Sequence, residues 1–224
     1  MVKFEHVTKK FGSTKALEDV SFDIEEGDLV FLTGHSGAGK TTLLKLLLRE
    51  LKPDSGKITI DGVDIATLKN KEVPFYRRKI GIVFQDFKLL YDRTVYENVE
   101  LALEVAGDND KRDAKIKKAL EEVGLLDKAD LFPRQLSGGE LQRAVIARAI
   151  VANPKLIIAD EPTGNLDPVT SRQIVDLLNK TTDSDTTVIM ATHNENIVNS
   201  LKQHVINLKD GKVSSDKKGG HYIE

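Results

Sequence analysis

One glycine-rich stretch of the sequence reads Gly34-His35-Ser36-Gly37-Ala38-Gly39-Lys40-Thr41, and it fits the pattern G-x-x-x-x-G-K-[ST] in full. A near-continuous apolar run, Asp28–Thr33, precedes it, as expected for a strand covered on both faces, and a helical run, Thr42–Leu51, follows. Such a loop binds phosphate in this context, because backbone N–H groups and the helix N-terminus point at the anion. We therefore expect Lys40 to neutralise phosphate charge and Thr41 to offer a hydroxyl to Mg²⁺.

Length and composition restrict the class of protein further. The chain has 224 residues, enough for one large domain or one domain with an insertion. Its 40% hydrophobic and 30% charged residues can build a core and a solvated surface, which excludes general disorder. A net charge of −2 argues against a dedicated nucleic-acid coat protein, so we expect no direct nucleic-acid binding. Without cysteine, the chain has no disulfide framework, thiol nucleophile or Cys-ligated zinc.

Apolar runs indicate where the chain resides. No run approaches the roughly 20 apolar residues of a membrane-spanning helix, and dense runs such as Leu156–Ala159 have the length of a strand. The first residues lack the apolar core of a signal peptide. We expect a soluble protein that another protein would have to hold at any membrane.

The pattern of apolar residues changes along the chain. We predict strands at Val2–Val7, Asp28–Thr33, Lys57–Ile60, Ile80–Phe84, Lys155–Ala159, Thr187–Ala191 and Val205–Leu208. Helical spacing appears at Lys111–Val123, Glu140–Val151 and Val169–Asn179. The two ends therefore look α/β and the middle looks helical, and we expect the polar segment Ser214–Gly220 to be mobile.

Two adjacent carboxylates follow a second apolar run, in Leu156-Ile157-Ile158-Ala159-Asp160-Glu161. Open α/β sheets place ligands at the C-terminal ends of their strands. Asp160 is therefore suited to hold Mg²⁺, directly or through water, and Glu161 to polarise an attacking water. An ordinary strand end with a solvated acidic pair is the alternative.

A second helix start suited to anions occurs in Leu136-Ser137-Gly138-Gly139-Glu140, before the helix Leu141–Val151. Ser137 can cap this helix, and Gly138 and Gly139 let an anion come close. A plain capped helix would look the same. Because one triphosphate does not obviously need both helix starts from one chain, a site shared between two chains is the economical interpretation.

With these motifs in order, the chain resembles the ABC ATPases from end to end. Gly34–Thr41 corresponds to the Walker A loop, Leu156–Asp160 to the Walker B strand, and Leu136–Glu140 to the LSGGQ-type signature, with Glu140 where glutamine is often found. The remaining motifs are Gln85 of the Q-loop, Asn165-Leu166-Asp167 of the D-loop, His193 of the switch, and Phe11 at the place of an aromatic that stacks on adenine.

The resemblance implies a fold and a division of the chain. The fold is α/β, with a RecA-like P-loop NTPase core, an N-terminal antiparallel β layer and an inserted α-helical subdomain. Residues 1–224 form a single ABC ATPase domain. Within it, 1–86 and 151–224 make the catalytic core, and 87–150 make the helical subdomain with the signature.

The resemblance also implies hydrolysis of ATP with Mg²⁺, by two copies that hold two ATP molecules head to tail. The resemblance assigns catalysis to Glu161, His193 and Gln85. It assigns binding of the metal to Thr41, Gln85 and Asp160. Nucleotide contacts are implied for Phe11, Gly34, His35, Ser36, Gly37, Ala38, Gly39, Lys40, Thr41, Thr42, Ser137, Gly138, Gly139, Glu140 and Asp167. As isolated residues, Phe11 could be core, Gln85 a surface polar residue and His193 an ordinary loop histidine.

The segment from Val83 to Val99, which reads VFQDFKLLYDRTVYENV, is similar to the FtsE family of cell-division ATPases. Tyr91 departs from the proline usual there, which leaves the local loop shape open. The resemblance implies an integral membrane partner, FtsX or an equivalent permease, and a cytoplasmic location on the inner face of the membrane. It also implies a role in regulating cell-wall hydrolysis. The alternatives are the ATPases of lipoprotein-release or macrolide export, and a soluble ABC ATPase acting on DNA.

The same segment carries an apolar cluster, Phe87, Leu89, Leu90 and Tyr91. An exposed patch of this kind in a connecting segment marks an interface, and the resemblance implies a groove for a cytoplasmic helix of the membrane partner. Packing of these side chains into the core of the helical insertion is the alternative.

Overall fold

A computed structural model describes residues 1–182 and 186–222. Its strands and helices are, in chain order, β1 Val2–Phe11, β2 Thr14–Ile24, β3 Leu29–Thr33, α1 Lys40–Leu47, β4 Ser55–Ile60, β5 Val63–Asp64, α2 Val73–Arg77, β6 Ile80–Phe84, α3 Val95–Ala106, α4 Arg112–Glu122, α5 Gly138–Ile150, β7 Leu156–Asp160, α6 Pro168–Thr181, β8 Thr187–Ala191, α7 Glu195–Leu201, β9 His204–Lys209 and β10 Lys212–Lys217.

The chain divides into two compact units. The described residues of Met1–Arg77 and Ile189–Glu224 form the first unit, and those of Arg78–Val188 form the second. Strand β8 contributes residues to both. This division rests on contacts between residues. The division that the family resemblance implies, 1–86 with 151–224 and 87–150, stays a prediction.

The first unit contains the antiparallel layer expected near the N-terminus. Its four strands lie in the order β2-β1-β4-β5, and every neighbouring pair is antiparallel. Phe4 and Phe22 stack across β1 and β2 with ring centroids 4.5 Å apart. Strand β3 is buried along its whole length and pairs in parallel with β9, which explains its unbroken apolar sequence.

The polar segment Ser214–Gly220 was expected to be mobile, but most of it is ordered in a strand. Ser214–Lys217 belong to strand β10, which pairs antiparallel with β9, so the prediction of a mobile segment is wrong here. Polar partners across the pair explain this order: Ser214 Oγ donates to the carbonyl oxygen of Asn207 at 3.2 Å, and Asp216 lies 2.5 Å from Nε2 of His204. An edge strand held by polar contacts has no apolar run for sequence reasoning to detect.

The second unit combines a parallel strand pair with helices. Strands β6 and β7 are parallel, with Phe84 opposite Asp160, and helix α5 packs against β6 and against α3, α4 and α6. The buried side chains of α5 include Val145, Ile146 and Ile150. None of the helices within the described residues is long and apolar enough to cross a bilayer.

The boundaries of the predicted elements are largely confirmed. Ile80–Phe84 and Thr187–Ala191 are strands with the predicted ends. Helix α1 ends at Leu47, earlier than the predicted Leu51, and α5 begins two residues before the predicted Glu140.

Candidate functional site

The glycine-rich loop of the first unit leaves the buried strand β3 and enters helix α1. Gly39 is the N-cap of α1 with φ 110°, and a Cβ built there would lie 2.7 Å from the carbonyl oxygen of Ala16. Both the backbone angle and the close approach require glycine at this position. Lys40 is the first residue of the helix, and its Nζ donates to the carbonyl oxygens of Gly34 at 2.5 Å and His35 at 3.1 Å. The lysine thus folds back over the loop.

The other predicted loop residues differ in their exposure. His35, Ser36, Gly37 and Thr41 are exposed, Thr42 is half-buried, and Ala38 is buried. The ring of His35 lies with Nδ1 2.7 Å from the carbonyl oxygen of Ser36 and Nε2 3.4 Å from Asp210. His35 is therefore a side chain of the loop rim.

Phe11 ends strand β1 and is 50% exposed, which excludes the alternative that it is a core residue. The ammonium of Lys9 lies 5.7 Å from the centroid of its ring. An exposed aromatic ring can stack on a planar ligand.

His193 follows strand β8 and is exposed, while the residue before it, Thr192, is buried. The backbone N–H of Thr192 donates to the carbonyl oxygen of Leu32 in β3 at 3.2 Å, and Asn194 caps helix α7. His193 therefore starts from the edge of the sheet at which β3 enters the glycine-rich loop.

In the second unit, the strand pair β6–β7 brings two of the predicted catalytic residues, Gln85 and Glu161, to the same end of the pair. Phe84 and Asp160 are the last residues of β6 and β7 and lie opposite each other in the parallel pair. Gln85 and Glu161 directly follow them. Glu161 has φ 47°, a left-handed backbone that turns the chain sharply. A Cβ on Gly164 would lie 2.9 Å from Nε2 of Gln85, so the glutamine side chain packs directly on the segment after Glu161.

The signature residues form the N-terminus of helix α5. Ser137 is the N-cap, and its Oγ accepts from the backbone N–H of Glu140 at 3.4 Å. The carboxylate of Glu140 reaches back to accept from the N–H and the hydroxyl of Ser137, each at 2.8 Å, and it also accepts a hydrogen bond from Lys128. The Lys128 ammonium first, and then the Ser137 donors, lower the pKa of Glu140 to about 2. The start of this helix thus holds an ionised carboxylate.

Asp167 of the predicted D-loop is the N-cap of helix α6, where it accepts from the N–H groups of Val169 and Thr170, each at 3.0 Å. Hydrogen bonds from the side chain of Thr170 first, and then from the N–H groups of Thr170 and Val169, lower the pKa of Asp167. A Cβ on Gly139 would lie 2.6 Å from Cγ2 of Thr170, so the first turns of α5 and α6 are in contact.

Two residues of the second unit were missed by sequence reasoning. Asn98 is completely buried in α3, and its amide bonds the backbone of Leu90, Arg93 and Thr94 at 2.8 to 3.2 Å, which fixes the loop after Leu89. Arg148 donates to the carbonyl oxygens of Phe87 and Lys88. An asparagine at helical spacing from apolar residues was the available signal for Asn98; nothing in the sequence signals the contacts of Arg148.

The structure therefore groups the predicted residues by unit. The first unit contains Phe11, Gly34–Thr42 and His193. The second contains Gln85, Ser137–Glu140, Asp160, Glu161 and Asp167. Within the second unit, Gln85 lies against Gly164, which precedes the D-loop, and Gly138 of the signature lies against Leu166 of the D-loop.

Comparison with known proteins agrees with these motifs. The family model described as ABC transporter matches residues 17–164. The cell division ATP-binding protein FtsE of Bacillus subtilis is 50% identical over 224 residues, covering 99% of this chain and 98% of that protein. FtsE of Escherichia coli K12 is 51% identical over 215 residues, covering 95% and 97%.

Solved structures show the same fold. A dimeric post-hydrolysis state of the ATP-binding cassette MJ0796, bound to ADP and Pi, superposes with a TM-score of 0.86 at 38% identity, covering 99% of this chain and all of that one. CbiO1 of Clostridium perfringens, part of an ABC transporter complex, gives a TM-score of 0.89 at 31% identity, covering 97% and 88%.

The fold and the order of motifs thus define an ATP-binding cassette, and the predicted fold class is confirmed. Within this class, the chain belongs to the FtsE family of ABC ATPases. The alternative of a lipoprotein-release or macrolide-export ATPase is not favoured, since these curated relatives are cell-division proteins.

Proposed function

We propose that this chain is the ATP-binding and ATP-hydrolysing subunit of a cell-division complex, and that it converts ATP and water into ADP and phosphate. The glycine-rich loop between β3 and α1 carries this proposal, because it has the residues and the strand–loop–helix setting of a phosphate site. Identity of 50% to a cell division ATP-binding protein over 99% of the chain supports the cellular role.

In the proposed site, the loop residues Gly34–Thr42 surround the phosphates of ATP. Lys40 would exchange its two carbonyl partners for phosphate oxygens, a stronger charge-assisted contact. Thr41, Gln85 and Asp160 would hold Mg²⁺. One hydroxyl, one amide oxygen and one carboxylate suit this ion, which keeps several waters and takes its other ligands from phosphate. When bound, Mg²⁺ neutralises phosphate charge that develops during the reaction.

Glu161 is the proposed general base. Support for this role is that Glu161 directly follows Asp160 at the end of β7, and that its left-handed backbone begins the segment that packs against Gln85. From there it would orient and polarise the attacking water. Gln85 would report the presence of the γ-phosphate, and His193 would contact it. Phe11 would stack on adenine through its exposed face.

Two copies would complete each site. Ser137 and Gly139 of one copy would face Lys40, Thr41 and Asp160 of the other, with Gly138, Glu140 and Asp167 at the same interface. The dimeric relative bound to ADP and Pi supports this arrangement. Binding of ATP closes the dimer because the phosphates contact both chains, and loss of the γ-phosphate removes a shared ligand and reopens it.

The motion would act on an integral membrane protein, FtsX or an equivalent permease, which would hold the chain at the cytoplasmic face of the membrane and pass the signal to cell-wall hydrolases. Leu90 and Tyr91 are 43% and 44% exposed and supply an apolar surface for this contact. Leu89 is buried and therefore serves the core of the second unit.

Phosphate release from Mg-ATP by the purified chain tests the proposal. We expect phosphate release that is lost on chelation of Mg²⁺. The rate of phosphate release should rise more steeply than linearly with protein concentration, because the active form is a dimer. A chain that releases no phosphate at any concentration, alone or with a co-purified membrane partner, contradicts the proposed activity. A rate of phosphate release that is strictly linear in protein concentration contradicts the shared site.

A further inference from the structure

Two consecutive residues just after Gln85 have a left-handed backbone. Phe87 has φ 58° and Lys88 has φ 51°. Within the described residues, no other adjacent pair of non-glycine residues shares this conformation. A left-handed backbone is unfavourable for residues with a side chain, so two in succession persist only where the surroundings hold them.

Arg148 supplies the contacts that hold this turn. Its Nη1 donates to the carbonyl oxygen of Lys88 at 2.6 Å, and its Nη2 donates to the carbonyl oxygen of Phe87 at 2.9 Å. The side chain is half-buried, and burial lowers the pKa of the guanidinium. One guanidinium therefore binds the carbonyl oxygens of both left-handed residues. We call these two hydrogen bonds the arginine clamp.

Helix α5 connects the arginine clamp at its C-terminal end to the signature at its N-terminal end. Helix α5 spans Gly138–Ile150, with Ser137 as its N-cap and Arg148 in its last turn. At 1.5 Å per residue the helix is about 20 Å long. Its N-terminus presents the signature serine, while its C-terminus holds the backbone that follows Gln85. A displacement of the Gln85 segment therefore pulls on the same rigid element that carries Ser137.

We propose that Arg148 is a positioning residue for ATP hydrolysis, which acts by holding the left-handed turn at Phe87–Lys88 and so couples the Gln85 segment to the signature helix. The proposal rests on the proposed function, since it assigns a role within that reaction. Arg148 is not one of the residues proposed to contact the nucleotide. Its loss should therefore affect turnover and leave binding of ATP to the glycine-rich loop unchanged.

Arg148→Met tests the clamp, because methionine retains an unbranched apolar side chain and removes the fork. Arg143→Met, at another arginine of the same helix, is the matched control. We expect Arg148→Met to lower kcat by about tenfold, since the competent loop becomes a minor conformer, with the Kd for ATP within about twofold of wild type. Limited proteolysis should cut after Lys88 faster in Arg148→Met than in Arg143→Met, because the loosened backbone fits a protease.

A second-site rescue separates positioning from general damage to the fold. Glycine adopts the left-handed conformation without a steric penalty, so Lys88→Gly should restore at least half of the wild-type kcat to Arg148→Met. Arg148→Lys keeps the charge but not the fork, and we expect it to retain the wild-type melting temperature and to lose several-fold in kcat.

Equal kcat in Arg148→Met and Arg143→Met overturns the proposal, as does a failure of Lys88→Gly to rescue a variant that melts like wild type. If Arg148→Met does not fold, full activity of Arg148→Lys overturns it instead. A wild-type chain without phosphate release would refute the proposed function, whereas unchanged cleavage after Lys88 in Arg148→Met would refute the clamp itself.

Discussion

The hydroxyl of Ser137 donates a hydrogen bond to the carboxylate of Glu140, 2.8 Å away, within the cap of helix α5. This is the hydroxyl expected to meet the phosphate held by a second copy. Glu140 stands where related signatures often have glutamine, and here Lys128 neutralises its charge through a direct hydrogen bond. The negative charge at the helix start is thus already paired within its own chain.

The first prediction concerns the acid stability of this cap. The pKa of Glu140 is about 2 in the folded chain against an ordinary value of 4.5, so the unfolded chain takes up the proton first. The stabilisation is therefore fully present above pH 4.5 and is lost as the pH falls towards 2, by about 1 to 2 kcal/mol. Urea unfolding at pH 7 and pH 3 should show a smaller loss of stability in Glu140→Gln than in wild type. The same loss in both chains would contradict the assignment, and Glu121→Gln, exposed on α4, is the control.

The second prediction concerns the binding of ATP. Lys40 is the cation of the glycine-rich loop, and its ammonium now lies on loop carbonyls that a phosphate would replace. Lys40→Ala should weaken the affinity for Mg-ATP by at least about a hundredfold in calorimetry, through loss of charge-assisted contacts in a partly desolvated loop. Lys45→Ala, exposed on the same helix, should bind like wild type. An affinity of Lys40→Ala within about threefold of wild type would refute the Walker A assignment.

The sequence predicted most of what depends on local pattern. The glycine-rich loop, the strand before Asp160 and the cap at Ser137 each combine residue types and spacings that favour a particular local structure. The apolar strands Ile80–Phe84 and Thr187–Ala191 were predicted to the residue because their runs are bounded by polar residues. The family resemblance then supplied the order of the motifs, which pattern alone does not give.

Contacts between distant residues could not be predicted in the same way. Arg148 meets Phe87 and Lys88, about 60 positions earlier in the chain, only because α5 packs beside β6. The strand β10 is polar and is held by partners on β9, such as Asn207 and His204, so its sequence resembles that of a loop. In each case the stabilising partner lies outside any local window.

The third prediction concerns the membrane partner. Tyr91 is 44% exposed and Phe87 is half-buried, so truncation of both should remove contact surface at small cost to the fold. Phe87→Ala with Tyr91→Ala should lose co-purification with the membrane partner from detergent extracts, while ATP affinity and melting temperature stay close to wild type. Phe132→Ala, 44% exposed in the same unit, is the control and should co-purify.

Two outcomes would contradict this docking surface. A fall of several degrees in the melting temperature of the double variant would mean that these rings pack the core, as Leu89 does. Undiminished co-purification would place the contact on another part of the second unit.

The shared ATP site is tested most directly by gel filtration of Glu161→Gln with and without Mg-ATP. Glutamine keeps the size and shape of Glu161 but cannot accept the proton of water, so ATP should bind and persist while hydrolysis falls by orders of magnitude. We predict that this variant elutes as a dimer with ATP and as a monomer with ADP, and that adding Lys40→Ala abolishes the dimer. A Glu161→Gln chain that hydrolyses ATP like wild type, or that remains monomeric at saturating ATP, would contradict the account.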